Sequence, residues 1–334
     1  MTFLVAFPIA LVSSFILTPV VRALAMRVSF VDVPDGKRFH GSTVPLLGGV
    51  AVVASVLLAW AAAHLSSGAE VTAPELLVVV GFIASFALGL YDDKKGMSAR
   101  LKLVVQAACA VILVSGCYAA GWMRGGFLFP LSVVWVVGIM NATNFLDNMD
   151  GVAGGMTAAA SVAFALLLSA GGQQFGVVMA AALLGASLGF LRYNFSPASI
   201  FLGDAGSLPV GYLLAALSII AAGRPDLQSI AAPVVVLGYP VFDITFVTLV
   251  RLREHRRIYQ GGKDHTSHRL AARLKSTRKT AAVIYLVCLA LGVSGVLIRR
   301  IGEPVFSLSL VVVLAVLLLA FGARLYKPAG GVSS

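Results

Sequence analysis

The sequence predicts an all-α, polytopic integral membrane protein with about 10–11 transmembrane helices in a single domain over residues 1–334. Three observations predict it. Hydrophobic residues make up 59% of the chain and charged residues only 12%, with a mean hydropathy of +0.95, which no ordinary soluble domain matches. Apolar runs of about twenty residues recur along the whole length, each able to cross a hydrocarbon core of roughly 30 Å as a helix. The basic residues crowd into alternate connections between those runs, as they do in membrane proteins of fixed orientation.

The spans are expected in order at 3–21, 44–63, 74–91, 103–121, 127–142, 152–170, 174–192, 206–222, 230–250, 280–298 and 305–323. Span 1 is too long, and too poor in N-terminal charge, for a cleaved signal peptide, so it is expected to stay in the mature protein. Spans 2 to 4 are continuous apolar runs, the third ending on Asp92 and Asp93. The fifth is short. Spans 6 and 7 are rich in Gly and Ala ("VAGGMTAAASVAFA", "AALLGASLG"), a composition that lets helices approach closely in lipid. Span 8 follows Asp204, and span 9 contains an acid, Asp243, about two turns inside it. Spans 10 and 11 close the chain. Cys109, Cys117 and Cys288 lie within apolar spans without metal-ligand spacing and read as small core residues.

With the N-terminus outside, 21 of the 25 Lys and Arg residues fall in the loops after spans 1, 3, 5, 7 and 9 and in the C-terminal tail. Only Arg124, Arg224, Arg299 and Arg300 face outward. Because basic loops stay in the cytoplasm, this distribution sets the orientation. It also accounts for the pI near 9.9 without any nucleic-acid partner.

The same topology gathers every polar-rich segment on the cytoplasmic side: "FVDVPDGKRFHGSTVPLLGG", "YDDKKGMSARLKLVVQ", "NATNFLDNMDG", "RYNFSPASIFLGDAGS" and "RLREHRRIYQGGKDHTSHRLAARLK". Carboxylates near helix ends in a membrane protein need water, protein or a cation beside them. Asp92, Asp93, Asp147, Asp150 and Asp204 are therefore read together as one site. Hard oxygen donors of this kind suit Mg²⁺, which takes one or two carboxylates and completes its shell with water and phosphate. Each aspartate alone would equally suit the capping of a helix end.

Spacing adds detail. Asn144, Asp147 and Asp150 recur every three residues, so a helical stretch would put them on one face. In "FLGDAGSLPVG", Gly203 and Gly206 would let backbone approach a ligand, while Ser207 would open the next helix and offer free N–H groups to an anion. Lys102, at the start of span 4, could contact phosphate or merely snorkel to the surface. Asp243 is too deep to face lipid and calls for a partner or a site-facing role. The basic loop around His265 and His268 could meet phosphate, although topology and anionic headgroups would explain its charge as well.

Six blocks carry a family resemblance: "VDVPDGKRFHGSTVPLLGG", "GLYDDKKGMSARLKLVVQ", "NATNFLDNMDGVAGG", "NFSPASIFLGDAGSLPVGY", "PVVVLGYPVFD" and "DHTSHRL". In this order and spacing, over about residues 31–270, the chain resembles the polyprenyl-phosphate N-acetylhexosamine-1-phosphate transferases. The resemblance implies transfer of a sugar-1-phosphate from a UDP-N-acetylhexosamine to undecaprenyl or another polyprenyl phosphate, releasing UMP, with Mg²⁺ or Mn²⁺. It also implies a multi-pass enzyme of the bacterial cytoplasmic membrane, with the site facing the cytoplasm, membrane lipids around it and homodimerisation left open. By the same resemblance, Asp204 is a metal ligand and catalytic, and Asp92 and Asp93 serve catalysis, metal binding or phosphate positioning. Lys102, Asn144, Asp147, Asp150, Phe201 and His268 are expected to bind substrate, and His265 is expected among the catalytic residues. Ser267 stands where many members carry another histidine. The run of three histidines typical of the phospho-MurNAc-pentapeptide transferases is absent, which favours UDP-GlcNAc or a related donor.

The acceptor phosphate has a second pKa of about 6 and is already a nucleophile at neutral pH. Catalysis would then consist mainly of neutralising charge between two anions and aligning them in line, with Asp92 as a general base the second expectation. Two other classes compete. A secondary transporter would place its acids near the midplane of repeated, broken helices, whereas these acids lie at one face. A CDP-alcohol phosphotransferase would carry D-G-x-x-A-R, but Asp150 and Gly151 run into "VAGG".

Overall fold

The structure is a computed structural model and describes residues 2–32, 44–123, 128–257, 262 and 264–326. Residues 33–43 of the first polar segment lie outside the described residues, as do Arg124, Lys263 and Lys327.

Helix α1 (Thr2–Arg27) leads into a two-residue antiparallel pair, β1 (Val31–Asp32) and β2 (Val44–Pro45). There follow α2 (Gly48–Ser67), α3 (Ala73–Lys95), α4 (Ala99–Ala119), α5 (Leu128–Leu146), α6 (Val152–Ala170), α7 (Gln174–Asn194) and α8 (Asp204–Ala222). The chain ends with α9 (Leu227–Val236), α10 (Gly238–Arg253), α11 (Thr266–Leu274), α12 (Thr277–Ile301) and α13 (Pro304–Leu325). Ten described helices are long and apolar enough to cross a membrane, or eleven if α9 and α10, bent against each other by 71°, are counted as one span. The chain is an all-α, multi-pass membrane protein.

Local chemistry fixes the helix starts. Thr72 and Glu75 form a reciprocal capping box at α3, with Pro74 in its first turn. Ser98, Asp226 and Ser276 accept from the first backbone N–H groups of α4, α9 and α12.

Helix α8 is the axis of the bundle. It is buried along almost its whole length and packs chiefly against α3 and α5. Around it, α1 lies on α7 and α2, α6 on α7, and α12 on α6 and α9. By contrast, α13 and one face of α1 expose Leu and Val side chains such as Leu317, Leu319, Ile16 and Val20, which hydrocarbon covers in a bilayer.

Three features differ from expectation. Helix α5 continues to Leu146, so Asn141 and Asn144 belong to a helix, not to a polar connection. The ninth span is two helices that meet at 71° around Leu237. Pro240 lies in the first turn of α10, where its missing N–H costs nothing, but it could not have continued α9. The basic loop also contains a helix, α11, whose buried Leu270 faces the bundle and whose Arg273 is exposed.

Candidate active site

The site is built around the N-terminus of α8. Gly203 precedes the helix at φ 70°, a conformation that favours glycine, and a methyl group there would come within 2.7 Å of an Asp93 oxygen. Asp93, from the end of α3, receives the Asp204 N–H on one carboxylate oxygen and the Ala205 N–H on the other, both at 2.9 Å. It thus caps α8 from a different helix. The contact is close enough that a methyl on Gly89, one turn earlier in α3, would sit 2.0 Å from the Asp204 carbonyl oxygen. On the other side, Phe201 N–H donates to the Pro45 carbonyl at 2.8 Å, and Gly48 and Gly49 donate to the carbonyls of Phe201 and Leu202 at 2.9 Å. The Phe201–Asp204 backbone is therefore held on both flanks, with the half-buried Phe201 ring carried at its edge.

Asp204 is the meeting point of three helices. The Lys102 ammonium, from α4, bridges one Asp204 oxygen and, at 2.8 Å, an oxygen of Asp92 from α3. The Asn144 amide, from α5, donates to the other Asp204 oxygen at 2.5 Å and to the Ser207 hydroxyl at 2.8 Å. Adjacent acids on α3 thus diverge. Asp92 faces the ammonium, and Asp93 the helix end. The glycines around Asp204 admit neighbouring helices rather than leaving room for a ligand: a methyl on Gly49 would lie 2.2 Å from the Gly206 nitrogen. Nor does Ser207 offer a free N–H, because that group donates to the Gly203 carbonyl at 2.8 Å; its hydroxyl is the group that takes part.

The turn after α5 fastens onto the same segment. Asp147 accepts from Gly203 N–H at 3.1 Å and Asp150 from Ala198 N–H at 3.0 Å. Asn194 accepts from Gly151 N–H and donates to the Ile200 carbonyl, each at 3.0 Å. Asn144, Asp147 and Asp150 do lie toward one side, but only Asn144 is helical. Burial, with Asp204 and Asp93 close by, pushes the Asp147 carboxyl well above the usual carboxylate range.

The loop between α10 and α12 closes the other flank. Asn148 accepts from the Ser267 hydroxyl at 2.7 Å, so Ser267 is tied to the α5 turn. The His265 ring meets Phe145 edge-on at 5.7 Å and His268 at 6.1 Å. His265 Nδ1 lies 2.8 Å from Asp243 Oδ2, both side chains being buried. Several arginines are engaged with an acid. Arg251 and Arg256 donate to the Asp264 carboxylate at 2.7–3.3 Å, and Arg269 donates to its carbonyl at 3.0 Å.

Every residue expected at the site lies at this end of the bundle. Sequence reasoning missed the capping by Asp93, the roles of Ser207, Asn148 and Asn194, and the Asp264 cluster. The doubled acid of "YDDKK" was the one available signal for the first. The others depend on contacts between helices distant in sequence.

As for a metal, no described group of three or more His, Cys, Asp or Glu side chains is arranged to hold an ion by itself. Asp92 and Asp204 do share one cation, the Lys102 ammonium, and the Asp93 and Asp147 carboxyl groups lie close by. Two convergent carboxylates fit Mg²⁺, which draws its other ligands from water and substrate.

Comparison with known proteins identifies the chain's relatives. The family model "Glycosyl transferase family 4" matches residues 75–222, which include Asp92, Asp93, Lys102, Asn144, Asp147, Asp150, Phe201 and Asp204. The chain is 33% identical over 310 residues to a probable undecaprenyl-phosphate N-acetylglucosaminyl 1-phosphate transferase of Bacillus subtilis, covering 88% of this chain and 84% of that protein. It belongs to the polyprenyl-phosphate N-acetylhexosamine-1-phosphate transferase family. A decaprenyl-phosphate N-acetylglucosaminephosphotransferase of Mycobacterium tuberculosis is 32% identical over 321 residues, 85% of this chain and 79% of its own. A phospho-N-acetylmuramoyl-pentapeptide-transferase of Halalkalibacterium halodurans is also 32% identical, but over 246 residues, 66% of this chain and 74% of its own. The transferases named for N-acetylglucosamine thus match over more of the chain.

Proposed function

We propose that the protein transfers GlcNAc-1-phosphate from UDP-GlcNAc to undecaprenyl phosphate at the cytoplasmic face of a bacterial inner membrane. The observation that carries this reading is the convergence of Asp92, Lys102 and Asn144 on Asp204, within a chain related along most of its length to transferases of that name. An acceptor phosphate oxygen attacks the β-phosphorus of the donor. The new P–O bond forms as the anhydride to the α-phosphate breaks, and UMP leaves.

Asp204 and Asp92 would hold a Mg²⁺ or Mn²⁺ ion, which when bound offsets the charge of the donor diphosphate. Lys102 is the cation between the two carboxylates: once they are otherwise engaged, its ammonium is available to a phosphate. Asp93 keeps Asp204 at the helix end. Asn144 holds the second Asp204 oxygen, leaving the first for a cation. Asp147, Phe201 and the His265 region flank the segment where the nucleotide-sugar would lie. Since the acceptor is already mostly dianionic near neutral pH, no strong base is required.

The test is purified protein given undecaprenyl phosphate and radiolabelled UDP-GlcNAc, with UDP-MurNAc-pentapeptide as the competing donor. Labelled lipid with equimolar UMP is expected from UDP-GlcNAc. Release of UDP would refute the reaction type, and preference for the muramoyl donor would refute the sugar.

A further inference from the structure

Asp243 is a carboxylate with no exposed surface, on a helix that sequence separates from the site's other acids. Its three contacts all reach one place. Oδ2 lies 2.8 Å from His265 Nδ1, and Oδ1 accepts from Thr266 N–H at 2.8 Å and from the Thr266 hydroxyl at 2.6 Å. The Thr266 hydroxyl is held in turn by Tyr239, at 2.9 Å. His265 occupies the N-cap position of α11 but makes no side-chain capping bond; Asp243, arriving from α10, takes that place. A buried carboxylate is costly unless charge-assisted hydrogen bonds and a helix N-terminus compensate it, and here both do.

From this geometry we infer that Asp243 is a positioning residue which sets the tautomer and ring orientation of His265 for the donor's diphosphate. A carboxylate can only accept, so the ring nitrogen facing it, Nδ1, is the one that carries a proton. Nε2, on the opposite edge of the ring, is then the nitrogen left for substrate. The Phe145 edge contact and the short tether through Thr266 keep the ring from turning. The diphosphate part of this inference rests on the proposed transferase reaction; the tautomer part does not.

Two measurements on the full-length protein test the two parts separately. Nitrogen-15 NMR of histidine-labelled protein, with His265 assigned by its loss in His265→Gln, should show His265 protonated at Nδ1. In Asp243→Asn the amide NH₂ faces Nδ1, and the signal should switch to the Nε2-protonated form. A wild-type His265 protonated only at Nε2 overturns the inference even if the variant does not fold. In the transfer assay, Asp243→Asn should lower kcat/KM about ten- to a hundredfold. The same change made in the His265→Gln background should then have less than about a twofold effect. Equal losses in both backgrounds would make Asp243 a helix cap only and overturn its role toward the substrate. If the wild-type protein transfers no sugar-phosphate from UDP-GlcNAc, the proposed function fails, while the tautomer measurement still decides whether Asp243 sets the ring.

Discussion

Asp92 and Asp93 are neighbours of identical chemistry, yet replacing each by asparagine should have opposite consequences. Asp93 gives one carboxylate oxygen to each of two backbone N–H groups at 2.9 Å. An asparagine keeps a single acceptor, so one N–H at the start of α8 loses its partner and meets an amide N–H instead. A lost hydrogen bond that leaves a buried donor unsatisfied costs about 1–3 kcal/mol. Removing the negative charge from a helix N-terminus adds about 0.3–1 kcal/mol. Asp93→Asn should therefore destabilise the fold by about 1–4 kcal/mol. Asp92 makes its ion pair with Lys102, which retains Asp204 as a partner, so Asp92→Asn should cost under about 1 kcal/mol. The comparison is thermal unfolding of the three proteins in one detergent, followed by tryptophan fluorescence, with transfer activity measured below the transition. Asp93→Asn should unfold well below wild type. Asp92→Asn should unfold close to wild type yet turn over more slowly. A wild-type midpoint for Asp93→Asn, or the larger loss in Asp92→Asn, would refute the assignment of the cap.

Three further outcomes are expected. Asp204→Asn should cut turnover by orders of magnitude and weaken Mg²⁺ or Mn²⁺ activation, while Asn144→Ala, losing bonds to Asp204 and Ser207, should lower kcat/KM roughly ten- to a hundredfold; metal and donor titrations separate the two. Burial alone would raise the Asp264 carboxyl, but hydrogen bonds from Arg256 and Arg251 hold it below the usual range. The stability it contributes is complete above about pH 4 and lost as pH falls through the depressed value, so amide exchange across the α10–α11 loop should accelerate under strong acid in wild type and much less so in Asp264→Asn. In a variant lacking native cysteines, Cys introduced at Ser67 should react with an impermeant thiol reagent in intact cells, whereas Cys at Ser98 should not; the reverse pattern would invert the proposed orientation.

Much of the fold was legible because the hydrocarbon core acts on composition and length, both of which are local properties. The break at Leu237 was less so, since "VVVLGYPVFD" remains apolar through it; Pro240 marks the spot only once α10 is known to start there. The site was legible as a set of residues but not as an arrangement. Nothing in "YDDKK" distinguishes the acid that faces Lys102 from the one that caps α8, because that difference arises where α3 crosses α8. The partner of Asp243 was hidden for the same reason: His265 lies 22 residues away, beyond a turn that no periodicity spans. Helix α11 could have been read from Leu270 and Leu274, four residues apart in a basic segment, but the charge of the loop obscured it.

The cap that Asp93 provides also has a consequence for how the protein is made. The two N–H donors it accepts from lie 111 and 112 residues downstream, on a helix whose synthesis follows four further spans. Until α8 is inserted, Asp92, Asp93 and Lys102 can pair only among themselves or with water at the membrane surface, and nothing orders Asn144 toward a partner. When α8 does arrive, its N-terminus satisfies Asp93, its first side chain takes Lys102 and Asn144, and its apolar length fills the space between α3 and α5 in the same event. Assembly of the reaction centre and completion of the hydrophobic interior thus coincide during biogenesis, so that a nascent chain truncated before α8 has neither.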